Sequence, residues 1–240
     1  MLVRPRLLTK SDIKVDNSLP SWFIKEFKTF DEIVSKKDFV CHFGTMAHKK
    51  EELLFSYIDE KETHLLPNKL SDFLKISKNN PDKRHAWIVF VKPNKQFNDF
   101  DYSNKYFWNM LNYLHSQDSM DWPKDWPVDP EDPNWEFIYN QEPIFVSVNG
   151  PFYKNRITRN LGNSLIIIFQ PRRIFKDISH KTTVGKKAIS LIRSKVEKQE
   201  NLPIHPDLGG YGDLDKREWK QYLITDDEIG ANNLKCPFRF

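Results

Sequence analysis

The run DWPKDWPVDPEDPNW, from Asp121 to Trp135, interleaves tryptophans and prolines with carboxylates, and Lys124 is its one cation. Proline fixes φ and removes a backbone donor, so we predict a stiff loop rather than a helix or a central strand. An indole face attracts positive charge, and a carboxylate pairs with a guanidinium through two hydrogen bonds. This acidic tryptophan loop therefore suits a cationic ligand, or it is a structural crossover with packed indoles and solvated acids. The candidate contacts for a cation are Asp121, Asp129, Glu131, Trp122, Trp126 and Trp135.

Four arginines could supply the opposite charge. Arg156 and Arg159 are three residues apart, which would place them on one face of a helix, and Arg172 and Arg173 follow an apolar run. A planar guanidinium binds carboxylate or phosphate through two bonds. Such a cluster opposite an acidic aromatic loop suits an amino-acid substrate, or a cofactor with propionates. The alternative is ion pairing with the protein's own acids, which contributes about 0–1 kcal/mol per surface pair.

Three histidines could act as a metal ligand or an acid–base group. Cys41 and His42 would face opposite sides of a strand, so we do not expect them to ligate one ion together. His48 follows a glycine break beside the small side chain of Ala47, which leaves room for a flat cofactor. His205 opens the glycine-rich run HPDLGGYGD and could be a ligand, an acid–base group or a loop anchor.

Bulk properties narrow the class of protein. A chain of 240 residues can bury one large core. The 37 basic and 33 acidic residues give a net charge of +4, too balanced to argue for nucleic acid. No apolar run approaches the length of a membrane span, and the N-terminus lacks the apolar core of a signal peptide. The two cysteines have no metal-type spacing, so we expect a reduced, cytoplasmic protein.

Hydrophobic periodicity predicts about six strands and about five helices. The strands are expected at Phe39–Phe43, Leu53–Tyr57, Ala86–Val91, Trp135–Tyr139, Ile144–Val148 and Leu165–Phe169. The helices are expected around Phe23–Val34, from Pro67, over Tyr102–His115, over Thr182–Gln199, and near Trp219 and Tyr222. A hairpin interrupts the alternation of strands and helices. We therefore predict an α+β (mixed α/β) fold, in which a single layer of partly antiparallel strands packs with the helices.

Three further predictions concern organisation. The chain is expected to form one domain over residues 1–240, with an irregular segment at 1–17. The helix over Thr182–Gln199 is expected to bury a stripe at four-residue steps, Val184, Ala188, Ile192 and Val196. Asp213 is expected to cap the short helix that carries Trp219 and Tyr222.

Seven segments in order resemble the YqcI/YcgG-like family. They are CHFGTMAHKKEELLFSYID, DWPVDP followed by NWEF, NRITRN, FQPRRIF, HPDLGGYGD, EWKQYL and the closing CPF. The resemblance runs from about residue 20 to the C-terminus. One departure is Val40, where members of the family often have proline before the first cysteine. Family members with known activity are heme-dependent oxygenases that hydroxylate a nitrogen of guanidino amino acids such as arginine.

The resemblance implies heme b, with iron ligated by His48 and with His205 or His42 as alternatives. Arg156, Arg159, Arg172 and Arg173 would then meet the propionates or the substrate carboxylate. The acids of the tryptophan loop would meet the guanidinium, and the indoles would form walls. The partners implied are a guanidino amino acid, an electron donor and a possible second copy of the chain, with no nucleic acid and no membrane.

Two rival functions stay open at this stage. The protein could be a heme-binding sensor or carrier without turnover. It could also be a cofactor-free module that binds a cationic amino acid through the acidic tryptophan loop.

Overall fold

The computed structural model describes residues 7–231 and 234–240. Its strands are β1 (Leu53–Ile58), β2 (Ala86–Val91), β3 (Phe137–Tyr139), β4 (Glu142–Asn149) and β5 (Leu165–Pro171). They form a mixed sheet in the order β1-β2-β5-β4-β3, in which β1 and β2 are parallel and the other neighbours are antiparallel. The helices are α1 (Lys10–Val15), α2 (Ser21–Val34), α3 (His42–Lys49), α4 (Leu66–Lys78), α5 (Phe100–Ser116), α6 (Thr183–Glu200) and α7 (Glu218–Tyr222). Short 3-10 segments occur at Glu60–Leu65, Lys95–Asn98, Ile157–Arg159 and Arg172–Ile178. The α+β class is confirmed.

Both faces of the central strands are buried, which is why β2 reads as a continuous apolar run. Phe55, Ile88 and Phe90 face a cluster that includes α1, α2 and α3. Trp87 and Val89 face the opposite cluster, built with α4, α5 and α7. Each large apolar side chain buried in this way contributes about 1.5–3 kcal/mol relative to exposure. The sheet is therefore the middle layer of the fold.

Local sequence signals account for several elements. Phe23, Phe27 and Phe30 of α2 are all buried, as their spacing predicts. The predicted hairpin is confirmed: β3 and β4 pair through a turn at Asn140 and Gln141, whose φ angles of 49° and 58° match a two-residue hairpin loop.

The segment predicted as the first strand, Phe39–Phe43, is not a strand. Helix α3 begins at His42, because the Cys41 Sγ accepts the Gly44 N–H at 3.3 Å and caps the first turn. This accounts for five strands rather than six among the described residues. Of the segment 1–17, predicted to be irregular, residues 1–6 lie outside the described residues, and the remainder contains α1, which begins with a capping box at Thr9.

Two predictions near the C-terminal third are also wrong in detail. Asp213 does not cap α7, which begins at Glu218 after Arg217; the Asp213 carboxylate accepts the Gly210 N–H instead. Helix α6 forms where predicted, capped by Thr182, but Val184 is 62% exposed. Ala188 and Ile192 are half-buried because they face a cavity rather than packed core. In the part of the chain that the structure describes, no helix has the length and hydropathy to cross a bilayer.

Candidate functional site

A cavity of about 580 Å³ lies where α3 and α6 meet one end of the sheet. Strands β1 and β2 begin there with Leu53 and Ala86, and the antiparallel strand β5 contributes Gln170, next to its final residue Pro171. Its volume is typical of sites that enclose a small molecule or cofactor.

The cavity walls are mostly apolar. Helix α3 supplies Phe43, Gly44 and Ala47, while α6 supplies Ala188, Ile189 and Ile192. The 3-10 segment Arg172–Ile178 and the loop at Gly209–Tyr211 complete the enclosure. The partly buried stripe of α6 therefore covers the cavity.

An ion cluster forms one polar part of the wall. The Arg172 Nε lies 2.9 Å from both oxygens of Glu136, and its Nη2 donates to Glu136 and to Glu218. The guanidinium carbon lies 4.2 Å from the Tyr211 ring centroid, and the rings of Phe145 and Phe175 flank it at 5.6 Å. Arg172 is thus held by two carboxylates and three aromatic rings.

The sheet register brings this cluster together. Ile144 of β4 pairs with Phe137 on one side and with Pro171 on the other. Glu136, just before β3, and Arg172, just after β5, therefore flank β4 at nearly the same level. Glu218 enters from the first turn of α7.

Burial governs the charge state of the cluster. Glu136 is 0% exposed and Glu218 is 3% exposed. Burial raises the pKa of Glu136 to about 8 and also raises the pKa of Glu218, while the Arg172 charge opposes both shifts. One guanidinium cannot neutralise two carboxylates, so the pair holds a proton or carries an excess negative charge.

Two side chains with metal-ligating atoms line the cavity. His180 is half-buried, and its Nε2 lies 3.4 Å from Asp213. A Cβ at Gly210 would collide with this imidazole, so glycine there permits the close approach. The other is Cys41, whose Sγ accepts the Gly44 N–H at the start of α3. Burial raises the pKa of the Cys41 thiol.

His48, the predicted iron ligand, lies on α3 but faces away from this cavity. It is 1% exposed, and its Nε2 lies 2.5 Å from Asp31 and 3.1 Å from the Lys10 Nζ. Its ring contacts Phe30 and Phe55 edge-on. Burial lowers the pKa of His48, and the hydrogen bond with Asp31 opposes that shift.

The two alternative histidines also lie outside the cavity. His42 is exposed at the start of α3 and lines a smaller cavity of about 220 Å³. His205 is buried: its Nε2 lies 2.9 Å from the Thr225 hydroxyl, and its Nδ1 accepts the Asp207 N–H. Burial lowers the pKa of His205 to about 4. These contacts hold the loop that carries His205 against the rest of the fold.

Of the four predicted arginines, the structure brings only Arg172 and Arg173 to the cavity. Arg156 is 1% exposed and binds Glu200 at 3.1 Å together with the carbonyl oxygens of Pro203 and Asp227. Arg159 is half-buried near Tyr153. Arg173 pairs with Glu142, yet its Nη2 is shielded from solvent without a hydrogen-bond partner among the described residues.

The acidic tryptophan loop does not line the cavity. Asp121, Asp129 and Glu131 are exposed, and Glu131 binds Arg217 and the indole N–H of Trp219, both at 3.3 Å. The indoles pack inward, with Trp135 at 0% exposure. Trp122 stacks on Trp135 at 6.5 Å, and Trp126 accepts the Trp122 indole N–H through its carbonyl. The loop meets the cavity wall indirectly, because the Tyr211 hydroxyl donates to the carbonyl of Asn134.

The profile of the YqcI/YcgG family matches residues 30–239, nearly the whole sequence. The chain belongs to the YqcI/YcgG family. Two relatives from Bacillus subtilis (strain 168), the uncharacterized proteins YqcI and YcgG, are each 32% identical to it. The first alignment covers 97% of this chain and 94% of YqcI, and the second covers 98% and 95% of YcgG.

A more distant relative carries a functional name. It is the "Putative N(omega)-hydroxy-L-arginine synthase DcsA" of Streptomyces lavendulae, 24% identical over 96% of this chain and 89% of that protein. No solved structure matches the chain.

Sequence reasoning missed seven residues at or beside the cavity of this YqcI/YcgG member. They are Cys41 and His180 as donors, Glu136 and Glu218 as carboxylates, and Arg84, Lys176 and Lys181 as cations. Four segments that carry the family resemblance contribute cavity residues: CHFGTMAH, FQPRRIF, HPDLGGYGD and EWKQYL. A usable signal existed for one carboxylate. Glu136 lies inside the short apolar segment WEFIY, where a charge must find a buried partner, whereas Glu218 has the polar neighbours Arg217, Lys220 and Gln221.

Proposed function

We propose that this protein is an N-oxygenating enzyme that acts on a guanidino amino acid such as arginine, with heme b in the cavity between α3 and α6. One observation carries the proposal: a single cavity combines apolar walls, metal-ligating side chains, cations that suit propionates, and Glu218, one carboxylate of a buried pair that shares the cation Arg172. The name of the relative DcsA supports the substrate class and the reaction.

The residues at the cavity fit a heme. Phe43, Ile189 and Ile192 offer apolar contacts to a flat macrocycle, and Gly44 and Ala47 leave space for it. The imidazole of His180 or the thiolate of Cys41 would be the axial donor. Arg84, Lys176 and Lys181 line the same cavity and would pair with the propionates.

When bound, heme supplies the iron chemistry that activates O2 or peroxide, with electrons from a donor outside this chain. The protein's own residues bind and orient the substrate. Arg173 presents a buried donor to the α-carboxylate, and the buried carboxylate pair offsets the positive charge of the guanidinium. The apolar walls exclude water, which strengthens these charge interactions.

The direct test is oxygen transfer. Protein reconstituted with hemin and supplied with a reductant and O2 is expected to convert L-arginine to a product heavier by one oxygen atom, detected by mass spectrometry. Fragmentation should locate the added oxygen on the guanidine group. Hemin binding without any oxygenated product would favour the sensor or carrier function, and a protein that stays colourless with hemin would contradict the proposal.

The axial ligand can be identified separately. We expect His180→Ala to abolish or shift the Soret band of the hemin complex by removing the imidazole at the cavity. His48→Ala should leave the band unchanged, because His48 faces Asp31 and Lys10. His64→Ala, at an exposed histidine, is the matched control.

Each other outcome assigns a different donor. A Soret change in Cys41→Ser alone would identify the thiolate as the ligand. A change in His48→Ala alone would support the ligand that the family resemblance implies.

A further inference from the structure

The ion cluster beside the cavity has two carboxyl groups but one cation. Glu136 and Glu218 share the one cation Arg172, and both carboxylates are almost fully buried. A buried carboxylate costs free energy unless a cation or a proton compensates it. The pair of carboxyl groups therefore needs a proton or one further cation in addition to Arg172.

The two carboxylates are not equivalent. Glu136 binds Arg172 through both Nε and Nη2, and it is not among the residues that line the cavity. Glu218 accepts a hydrogen bond from Arg172 through Nη2 alone, and it lines the cavity together with Gln221. Its second oxygen accepts the Gln221 Nε2–H at 3.3 Å. Glu218 is therefore the carboxyl group of the pair that a ligand can reach, and a cationic ligand there would take the place of the proton.

A second, independent feature points to an amino-acid ligand in the same cavity. The Arg173 Nη2 is shielded from solvent and has no hydrogen-bond partner among the described residues. A buried unpaired donor is costly and is normally satisfied by an acceptor. The carboxylate of an amino acid is such an acceptor.

We propose that Glu218 receives the cationic end of the substrate and determines the preference for a guanidinium over a neutral group of the same shape, while Arg173 receives the carboxylate. The inference deepens the proposed function and rests on it for the ligand class. A carboxylate binds the planar guanidinium through two parallel hydrogen bonds, which an ammonium cannot match. Tyr211, already in contact with Arg172, adds an aromatic surface beside this position.

The acids of the tryptophan loop are poorer candidates. Asp121, Asp129 and Glu131 are exposed, where water and salt screen a charge interaction. Glu131 is also engaged with Arg217 and Trp219. The buried carboxylate at the cavity should discriminate charge far better than they do.

The test compares L-arginine with L-citrulline, which replaces the guanidinium by a neutral ureido group of nearly the same shape. Isothermal titration of the full chain, with and without hemin, should show arginine binding at least about 10-fold tighter than citrulline. Glu218→Gln keeps the shape and removes the charge. It should weaken arginine binding about 10–100-fold and leave citrulline binding unchanged, so that the preference disappears.

Two variants keep the result interpretable. Glu131→Gln removes a carboxylate of the acidic tryptophan loop and should leave the preference intact. Glu218→Asp keeps the charge and should retain a reduced preference, which guards against a folding defect in Glu218→Gln. Thermal melting and the Soret band of each variant report the fold and the cofactor site.

The outcomes separate this inference from the proposed function. If the wild type prefers arginine and Glu218→Gln keeps that preference, the role of Glu218 is refuted while the proposed substrate class stands. Loss of the preference in Glu131→Gln would instead identify the loop as the binding site. If the wild type binds neither amino acid, the proposed function itself fails.

Discussion

Replacing Arg172 by methionine is expected to lower the free energy of unfolding by about 3–5 kcal/mol at pH 8. Methionine keeps much of the side-chain volume but leaves Glu136 and Glu218 buried without their cation. Urea unfolding followed by tryptophan fluorescence measures the loss. Arg173→Met is the matched control, because the pair of Arg173 with Glu142 is more exposed and should cost only about 1 kcal/mol.

The pH dependence of the Arg172→Met variant is a sharper test. Without Arg172, the pKa of both buried carboxyls should rise further, since the guanidinium is what lowers them in the wild type. The folded state then binds more protons than the unfolded state, so stability falls as pH rises from the ordinary pKa of glutamate through the raised folded value. We expect the difference between variant and wild type to be smaller at pH 5.5 than at pH 8. A variant as stable as the wild type at pH 8 would contradict the buried charge cluster.

The partners of Arg172 were beyond sequence reasoning because they are distant in the chain. Glu136 lies 36 residues away and Glu218 lies 46 residues away. Only the strand order, which places β4 between β3 and β5, brings Glu136 beside the end of β5. Local patterns do not encode this order. The sequence therefore singles out Arg172 as a candidate contact, but it does not predict which carboxylates bind it.

Elements set by local chemistry were predicted well. The α2 stripe follows helical periodicity, and the hairpin of β3 and β4 follows a turn signal. Helix α6 shows the limit of that approach. Its periodicity predicts a helix, but a periodic stripe does not reveal whether packed core or a cavity lies beneath Ala188 and Ile192.

The acidic tryptophan loop shows that composition alone leaves two roles open. A proline-rich loop with indoles beside carboxylates suits a cationic ligand. The same composition also suits a structural crossover whose indoles pack on the core. In the fold, Trp135 fills the core and Glu131 faces Arg217. The roles of these residues in binding stay predictions, which the Glu131→Gln comparison tests.

Arg156→Met tests a second buried charge, in a residue that the sequence suggested as a cofactor or substrate contact. The Arg156 and Glu200 side chains are each 1% exposed. Arg156 also donates to the carbonyl oxygens of Pro203 and Asp227, so it joins the end of α6 to two loops. Removing the guanidinium leaves the Glu200 carboxylate buried without its cation. We expect a loss of about 3–5 kcal/mol in the free energy of unfolding, measured by urea titration.

A double-mutant cycle with Glu200→Gln distinguishes an internal ion pair from a ligand contact. If the main role of Arg156 is to neutralise Glu200, the double variant Arg156→Met/Glu200→Gln should lose clearly less free energy of unfolding than the sum of the two single variants. The reason is that no buried charge remains. The cavity would keep its lining, so the ratio of arginine to citrulline affinity should match the wild type. Additive losses together with a changed ratio would instead assign Arg156 to the ligand site. Because α6 covers the cavity, a weakening of both affinities by the same factor would indicate that Arg156 acts by holding the end of that helix.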